Sequence, residues 1–493
     1  MSRNKPAYQQ IFESLSNRIY SGVYPQNTPL PPIAVLAREY AVSVITIRGA
    51  LELLKQAGLI DTRQGKAAVV SFHADTTLRH DDYARWMLEH KDSVLDLYRF
   101  HADLIPQAIA FGAAHGGTEA LEELNKIRQS NEKRELADVL ETLRCGMLCV
   151  LSGSKNTLLL RLYSAIEEFI RVPTLLPQEE NAFKQHMLDK SDLFLELLAE
   201  SMAAGDYANI YFFVRDEYAG VSRRFMQLAV RISGTTQINN LLPFRFALRP
   251  EYDLRYQEIA NDLFLRIFCG QNAAGTLLPA AGVLEARYCA APATIRRALA
   301  NLEAEGMTQT INGVGTRVLY GPNTGFSCDR LSKQAAVEAA EALQLLALAL
   351  PFLIREKLHN MNDADIETLI KQLEEIVQMP QERCFPCVVL YAMIRACDSR
   401  AEQEIMLQLL RIFSGTVRRR GILLKNVYGE TCDQMRVWAV DALESIRQRD
   451  SVQLRIMLYR QMRAIHDVIL LPACDDDPAL PFYNESFLKL LFS

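Results

Sequence analysis

The chain repeats itself at a single fixed offset. Tyr8-Gln9-Gln10-Ile11 returns as Tyr256-Gln257-Glu258-Ile259, Leu30-Pro31 as Leu278-Pro279, and Thr46-Ile47-Arg48 as Thr294-Ile295-Arg296. Gly58 returns as Gly306 and Gly65 as Gly313. Every pair lies 248 positions apart, and a gapless alignment of 8–70 with 256–318 holds 23 identities in 63 pairs. Unrelated segments of ordinary composition share about 4. The pattern predicts a duplication: small module, long segment, small module, long segment. Any fold assigned to the small module must be assigned twice.

At 493 residues the chain is too long for one ordinary domain and suggests three or four. Hydrophobic residues make up 49% and charged residues 23%, so each segment has the material for a core and the composition is not that of a disordered tail. The net charge of −5 excludes a global basic field. A local one survives: residues 1–72 carry eight Lys or Arg against four acids, an excess of four on a small segment. Ten cysteines lie scattered without a framework. The polar start at Met1–Pro6 and the lack of a long apolar run predict neither a signal peptide nor a membrane span, and hence a cytoplasmic chain with reduced thiols. Cys384 and Cys387 have CxxC spacing, but no second pair or nearby His completes a zinc set.

Within the first module, residues 8–21 place Ile11, Leu15 and Ile19 on one helical face. A Pro-rich turn from Pro25 to Pro32 precedes a short helix over 33–40. Ser43 is suited to cap a helix over 44–57 that buries Ile47, Leu51 and Leu54 and stops at Gly58. Residues 59–62 and 67–70 read as two short strands around a hairpin tip, Arg63-Gln64-Gly65-Lys66. Helix, helix, turn, helix, hairpin is the order of a winged helix-turn-helix. Its third helix is the right width for the major groove, and the cations of the tip suit phosphates or the minor groove.

These motifs resemble the N-terminal DNA-binding domain of GntR-family regulators. The resemblance is carried by Tyr-Gln-Gln-Ile, by Leu-Pro before the second helix, and by Val-Ser-x-x-Thr-Ile-Arg-x-Ala-Leu. Leu-x-x-x-Gly-Leu-Ile and Arg-Gln-Gly-Lys complete it across 8–70. The second copy, 256–318, follows the pattern more loosely. The resemblance implies operator contacts from Ser43, Thr46, Arg48, Arg63, Gln64, Gly65 and Lys66, and from Thr294, Arg296, Arg297 and Gly313 in the second copy. Both copies depart from the family. Ala34 and Gly282 stand where an Arg is usual, and Val44 and Pro292 where an Arg often follows the capping Ser. Ala291 replaces that Ser, and the second tip, Ile311-Asn312-Gly313-Val314, has no cation. Residues 249–318 balance seven basic against seven acidic residues, which leaves open whether the second module reads DNA or only packs.

The long segments, about 76–245 and 328–490, read as helical. Leu95, Leu97, Tyr98, Leu104 and Ile105 recur at steps that suit a broad helical face, as do Leu343, Leu345, Leu346, Leu350 and Leu353. Breaks are expected at Gly116-Gly117, Ser152-Gly153, Pro173, Pro177, Pro380, Pro386 and Ser414-Gly415. Segment 90–230 is similar, more weakly, to the all-helical FCD domain that senses a metabolite in this family. The carriers are 94–99, Ser152-Gly153 before Asn156, and Ala204-Gly205-Asp206. The likeness implies a small organic-acid effector, with Arg99, His101, Glu141 and Arg144 as candidate contacts. Many FCD domains hold a metal. The corresponding positions are Glu141, Cys145, Leu195 and Glu217, and Leu195 cannot ligate, so no metal and no cofactor is expected.

The expected architecture is mainly α, two winged helix-turn-helix domains (1–74 and 249–320) alternating with two helical domains (75–248 and 321–493). The expected function is a sequence-specific DNA-binding regulator, a covalent pseudo-dimer whose unequal heads read an asymmetric double-stranded operator. Homodimerisation would give four heads. A protein-interaction scaffold with vestigial DNA modules stands as the alternative. An enzyme is not expected, since neither a P-loop nor a nucleophile–base motif is present.

Overall fold

The structure is a computed structural model. It describes residues 7–20, 24, 27–39, 43–62, 67–71, 80–129, 136–171, 180–233, 255–320, 333–378, 385–419, 437–467 and 481–482. The protein is mainly α. It divides into two compact units, 1–154 with 160–244, and 155–159 with 245–493.

The first unit opens with α1 (Ala7–Tyr20), α2 (Ile33–Glu39) and α3 (Val44–Gln56), followed by β1 (Ile60–Asp61) and β2 (Val69–Val70). Ile11, Leu15 and Ile19 of α1 meet Leu36 and the buried stripe Ile47, Ala50, Leu51 and Leu54 of α3. α3 ends where the sequence places a glycine: Gly58 takes φ 68°, a left-handed conformation that closes the helix without a Cβ clash. β1 and β2 pair antiparallel, with Ile60 opposite Val70. The tip Arg63–Lys66 lies outside the described residues.

Helices α4 (His80–His115), α5 (Gly117–Gln129), α6 (Leu136–Ser152), α7 (Thr157–Arg171), α8 (Glu180–Ala204) and α9 (Tyr207–Ser233) follow. α4 packs on α6 and α9, and α8 on α5, α6 and α9. The breaks expected at Gly116-Gly117 and Ser152-Gly153 fall between helices. Pro173, Pro177 and Pro380 lie outside the described residues. α4 and the segment after α6 touch at backbone distance: a Cβ on Gly153 would fall 2.2 Å from the Gly112 carbonyl.

The second unit repeats the small module: α10 (Arg255–Phe268), α11 (Ala281–Tyr288), α12 (Pro292–Ala304), β3 (Thr308–Ile311) and β4 (Gly315–Val318). The two frames agree bond for bond at the sequence offset. Leu30 N donates to Ala68 O and Leu278 N to Thr316 O, both at 2.8 Å. Asn27 N and Gly275 N donate to Val70 O and Val318 O, both at 2.9 Å, and both residues have positive φ. Gly306 repeats the helix stop of Gly58 at φ 67°.

The rest of the unit is α13 (Lys333–Asn360), α14 (Asp363–Gln378), α15 (Phe385–Arg395), α16 (Arg400–Arg419), α17 (437–447) and α18 (Ser451–Ile465). α13 packs on α15, α16 and α18. Within α13, Ala335–Asn360 is long and apolar enough to cross a membrane by composition, and most of it is buried inside the protein. Of its buried polar residues, Glu341 accepts from Thr157 N at 2.7 Å, Gln344 from Asn156 Nδ2 at 2.6 Å, and Lys357 lies 4.0 Å from Glu402. Two expected breaks are corrected. Pro386 sits in the first turn of α15, where a missing N–H costs nothing. α16 runs through Ser414-Gly415, where a Cβ on Gly415 would fall 2.8 Å from Arg411 Nη1. The glycine makes room for that guanidinium and does not end the helix.

Candidate nucleic-acid interface

Ser43 holds extended backbone geometry before α3, and its hydroxyl accepts from Thr46 N at 3.1 Å. The two hydroxyls lie 2.8 Å apart. This cap satisfies one of the orphan amides of the first turn and fixes where that turn points. Beyond it, Ile45 and Arg48 are exposed on the outer face, with Glu52 and Lys55 further along. Thr46 is half-buried. The arrangement offers hydroxyls, a branched apolar side chain and a guanidinium on one convex surface. Those are groups that contact phosphates and base edges. Arg63, Gln64, Gly65 and Lys66 lie outside the described residues.

The second module presents the same frame with other groups. Ala291 caps α12 without a side-chain bond, and Pro292 follows in the first turn. Arg296 is exposed, and Arg297 lies over the Tyr256 ring at 4.2 Å, a cation–π contact that occupies it locally. Thr294 is half-buried. Gly313, at φ 74°, sits in the turn between β3 and β4, and Val314 beside it is 56% exposed. Arg317 on β4 is also exposed, a cation the sequence reading did not single out.

The back of the second module is bound to its own helical bundle. Arg411 of α16 donates to Asn261 at 3.2 Å and to both Glu305 oxygens at 2.8 and 2.6 Å, and its guanidinium lies 3.5 Å over the Phe264 ring. Asp262 accepts from Arg266 at 2.7 Å, from the Tyr288 hydroxyl at 2.6 Å and from the Tyr391 hydroxyl of α15 at 3.3 Å. Burial pushes its carboxyl up, but Arg266, Tyr288 and Arg395 outweigh that and hold it below the usual carboxylate range. α10 is accordingly buried on nearly all sides, including Phe264, Leu265 and Phe268.

The four candidate effector contacts do not converge as a set. Arg99 is exposed, whereas His101, two residues on, is fully buried, since such spacing turns side chains to different faces of a helix. Glu141 and Arg144 are one turn apart on α6 and bound to each other, with Nε to Oε2 at 2.9 Å. The neighbours of His101 come from elsewhere. Its ring stacks on Tyr163 at 5.6 Å and meets the edge of Tyr218 at 5.4 Å, and Nδ1 lies 3.4 Å from Glu167. Neither ring nitrogen makes a hydrogen bond among the described residues. Burial pushes the Tyr163 and Tyr218 phenols well above their ordinary value, so both stay protonated. Tyr163, Glu167 and Tyr218 were not singled out in the sequence. The only signal was the one-turn spacing of Tyr163 and Glu167 on amphipathic α7. The metal of FCD domains does not fit here. Leu195 is buried, Lys190 pairs Glu217 at 3.1 Å, and among the described residues no group of three or more His, Cys, Asp or Glu gathers.

Residues 7–70 and 255–318 each match the family described as bacterial regulatory proteins, gntR family. A curated HTH-type transcriptional repressor from Salmonella typhimurium is 35% identical over 65 residues, 13% of this chain. The chain spans only 27% of that relative's length. Among solved structures, Escherichia coli McbR/YncC is 16% identical, with 46% of this chain and 98% of that one covered and a TM-score of 0.26. A putative GntR transcriptional regulator from Rhodococcus sp. RHA1 is 13% identical, covering 47% and 99%, also at 0.26. The matched segments coincide with the two small modules built above. The chain carries two tandem winged helix-turn-helix modules of the gntR regulatory family.

Proposed function

We propose that this protein is a sequence-specific DNA-binding transcription regulator and not an enzyme. The observation that carries the reading is the outer face of α3. A capped first turn exposes Ile45 and Arg48 beside paired hydroxyls, on a segment with an excess of four positive charges. Ser43, Thr46, Arg48 and the tip Arg63, Gln64, Gly65 and Lys66 are its contacts in the first module. Thr294, Arg296, Arg297 and Gly313 are those of the second. The experiment is a salt-titrated gel shift of the full chain on fragments of the host genome. Binding should weaken steeply between about 50 and 200 mM salt. Salt-insensitive retention, or none, sinks the proposal.

The finer reading is a four-domain, internally duplicated pseudo-dimer that acts in the cytoplasm at an asymmetric double-stranded operator, with homodimerisation presenting four heads. The repeat at offset 248 and the matching backbone bonds support the duplication. Footprinting tests the asymmetry. A perfectly symmetric protected site, bound equally well by an Arg296→Ala chain, removes it. The back-face anchoring and cation-free tip of the second module favour one alternative, that this module packs and reads little DNA itself.

The FCD-like helical segment of the first unit is the proposed place of control by a small organic acid. Its support is His101, buried without a hydrogen bond among the described residues, 3.4 Å from Glu167 and beside Tyr163 and Tyr218. A buried imidazole short of a hydrogen bond costs about 1–3 kcal/mol, which a bound acid would relieve. Arg144 reaches such a ligand only by loosening from Glu141, and Arg99 only from the outside. Thermal-shift screening of small carboxylates against the wild type and His101→Phe reads this directly. A hit that stabilises both equally is not bound at His101.

A further inference from the structure

The first turn of α3 holds two branched apolar side chains in the open: Ile45 is 78% exposed and Val44 40%. Their helix neighbours Ile47, Ala50, Leu51 and Leu54 are all buried. An isoleucine left in water forgoes its burial, so position 45 contributes nothing to this module's core. Ile45 shares its outward face with Arg48 and Glu52, at helical spacings of three and seven. The hydroxyls of Ser43 and Thr46 stand at its base, 2.8 Å from each other. An apolar group set between hydroxyls and a cation, on a segment with a surplus of positive charge, suits a partner that is anionic outside and apolar at one point inside. Duplex DNA has one such point in its major groove, the C5-methyl group of thymine.

We propose that Ile45, with Val44 beside it, specifies thymine in the half of the operator bound by the first module. This rests on the reading of that module as a DNA reader. The second module has Pro292 and Ala293 at the matching positions, and the alanine methyl is too short to fill the role of Ile45. The thymine requirement therefore belongs to one half-site and adds to the inequality of the two heads.

The experiment uses the full chain and a genomic fragment selected by it, with deoxyuridine replacing thymidine one position at a time. Deoxyuridine removes the methyl group and keeps the base pair. One or two positions should cost about fourfold in affinity, equivalent to the ~0.8 kcal/mol of one buried carbon group. In Ile45→Ser those positions should become indifferent, with the salt dependence unchanged. Position 45 is exposed, so this variant should melt as the wild type does. The proposal is overturned if the wild type tolerates deoxyuridine everywhere. It also falls if the same penalties persist in Ile45→Ser, or if that variant changes only self-association by sedimentation. Those outcomes leave DNA binding intact. Loss of all salt-sensitive binding by the wild type overturns both readings at once.

Discussion

At matching places on their first helices, the two modules carry different residues: Ser16 in the first, Phe264 in the second. The next pair is Asn17 and Leu265. At other positions the exchange runs the other way. Lys55 becomes Glu303, Arg63 becomes Ile311 and Lys66 becomes Val314. One module keeps the cations in its sequence; the other has gained an apolar, acid-bearing back that α16 grips. Yet the backbone bonds that make the wing agree between them. The difference teaches that this frame is set by a few positions, chiefly the buried stripe of the third helix and the left-handed stop after it. The two faces are free to specialise separately.

The comparison can be broken most decisively at position 264. Phe264→Ala should destabilise the second unit by about 3–5 kcal/mol, as large-to-small changes in a packed core do. Ser16→Ala should cost well under 1 kcal/mol, because the buried Ser16 hydroxyl has no hydrogen-bond partner among the described residues. Hydrogen exchange read on α1 and α10 peptides checks both, and equal losses would mean the backs are alike. The fronts come next. Arg48→Ala should cost about 1–3 kcal/mol of DNA affinity by fluorescence anisotropy, and Arg296→Ala distinctly less. A reversal would make the second module the principal reader. The caps give a smaller effect: Ser43→Ala should cost about 1 kcal/mol, and Ala291→Ser should recover part of that in the second module. The smallest effect is one of pH. The carboxyl of Asp262 is held below its ordinary value, so the stability it contributes is present above an unfolded value of about 3.9 and is lost as pH falls through the folded one. Acid titration should loosen α10 in the wild type and leave Asp262→Asn with a flatter profile over that range.

Much of the small module was legible because its signals are local. The Ser43 cap, the stripe of α3 and the stop at Gly58 each depend on neighbours within a turn, and the repeat offset carried the same assignment to α12 and Gly306. The grip of α16 on the second module was not legible, since Arg411 is 150 residues from Asn261 on α10 and 106 from Glu305 after α12. A hint was available in α10 itself, whose run Leu263-Phe264-Leu265 with Ile267-Phe268 is too apolar for a helix with one buried face. Ser414-Gly415 was misread because a glycine that vacates space for a side chain looks, in sequence, like one that ends a helix. The surroundings of His101 were hidden for the same nonlocal reason: Tyr163, Glu167 and Tyr218 arrive from two other helices.

Arg411 also ties two stretches of the gene to a common fate. A head joined to its body by a linker alone can be copied out and recombined as a cassette. This one would leave behind a guanidinium with no acid, and would take away Phe264 with its lid missing and Glu305 with its counter-charge gone. Drift at 261, 264 or 305 is therefore tolerable only with answering drift at 411, and at 415, where bulk would crowd the arginine. The second head is inherited together with its socket.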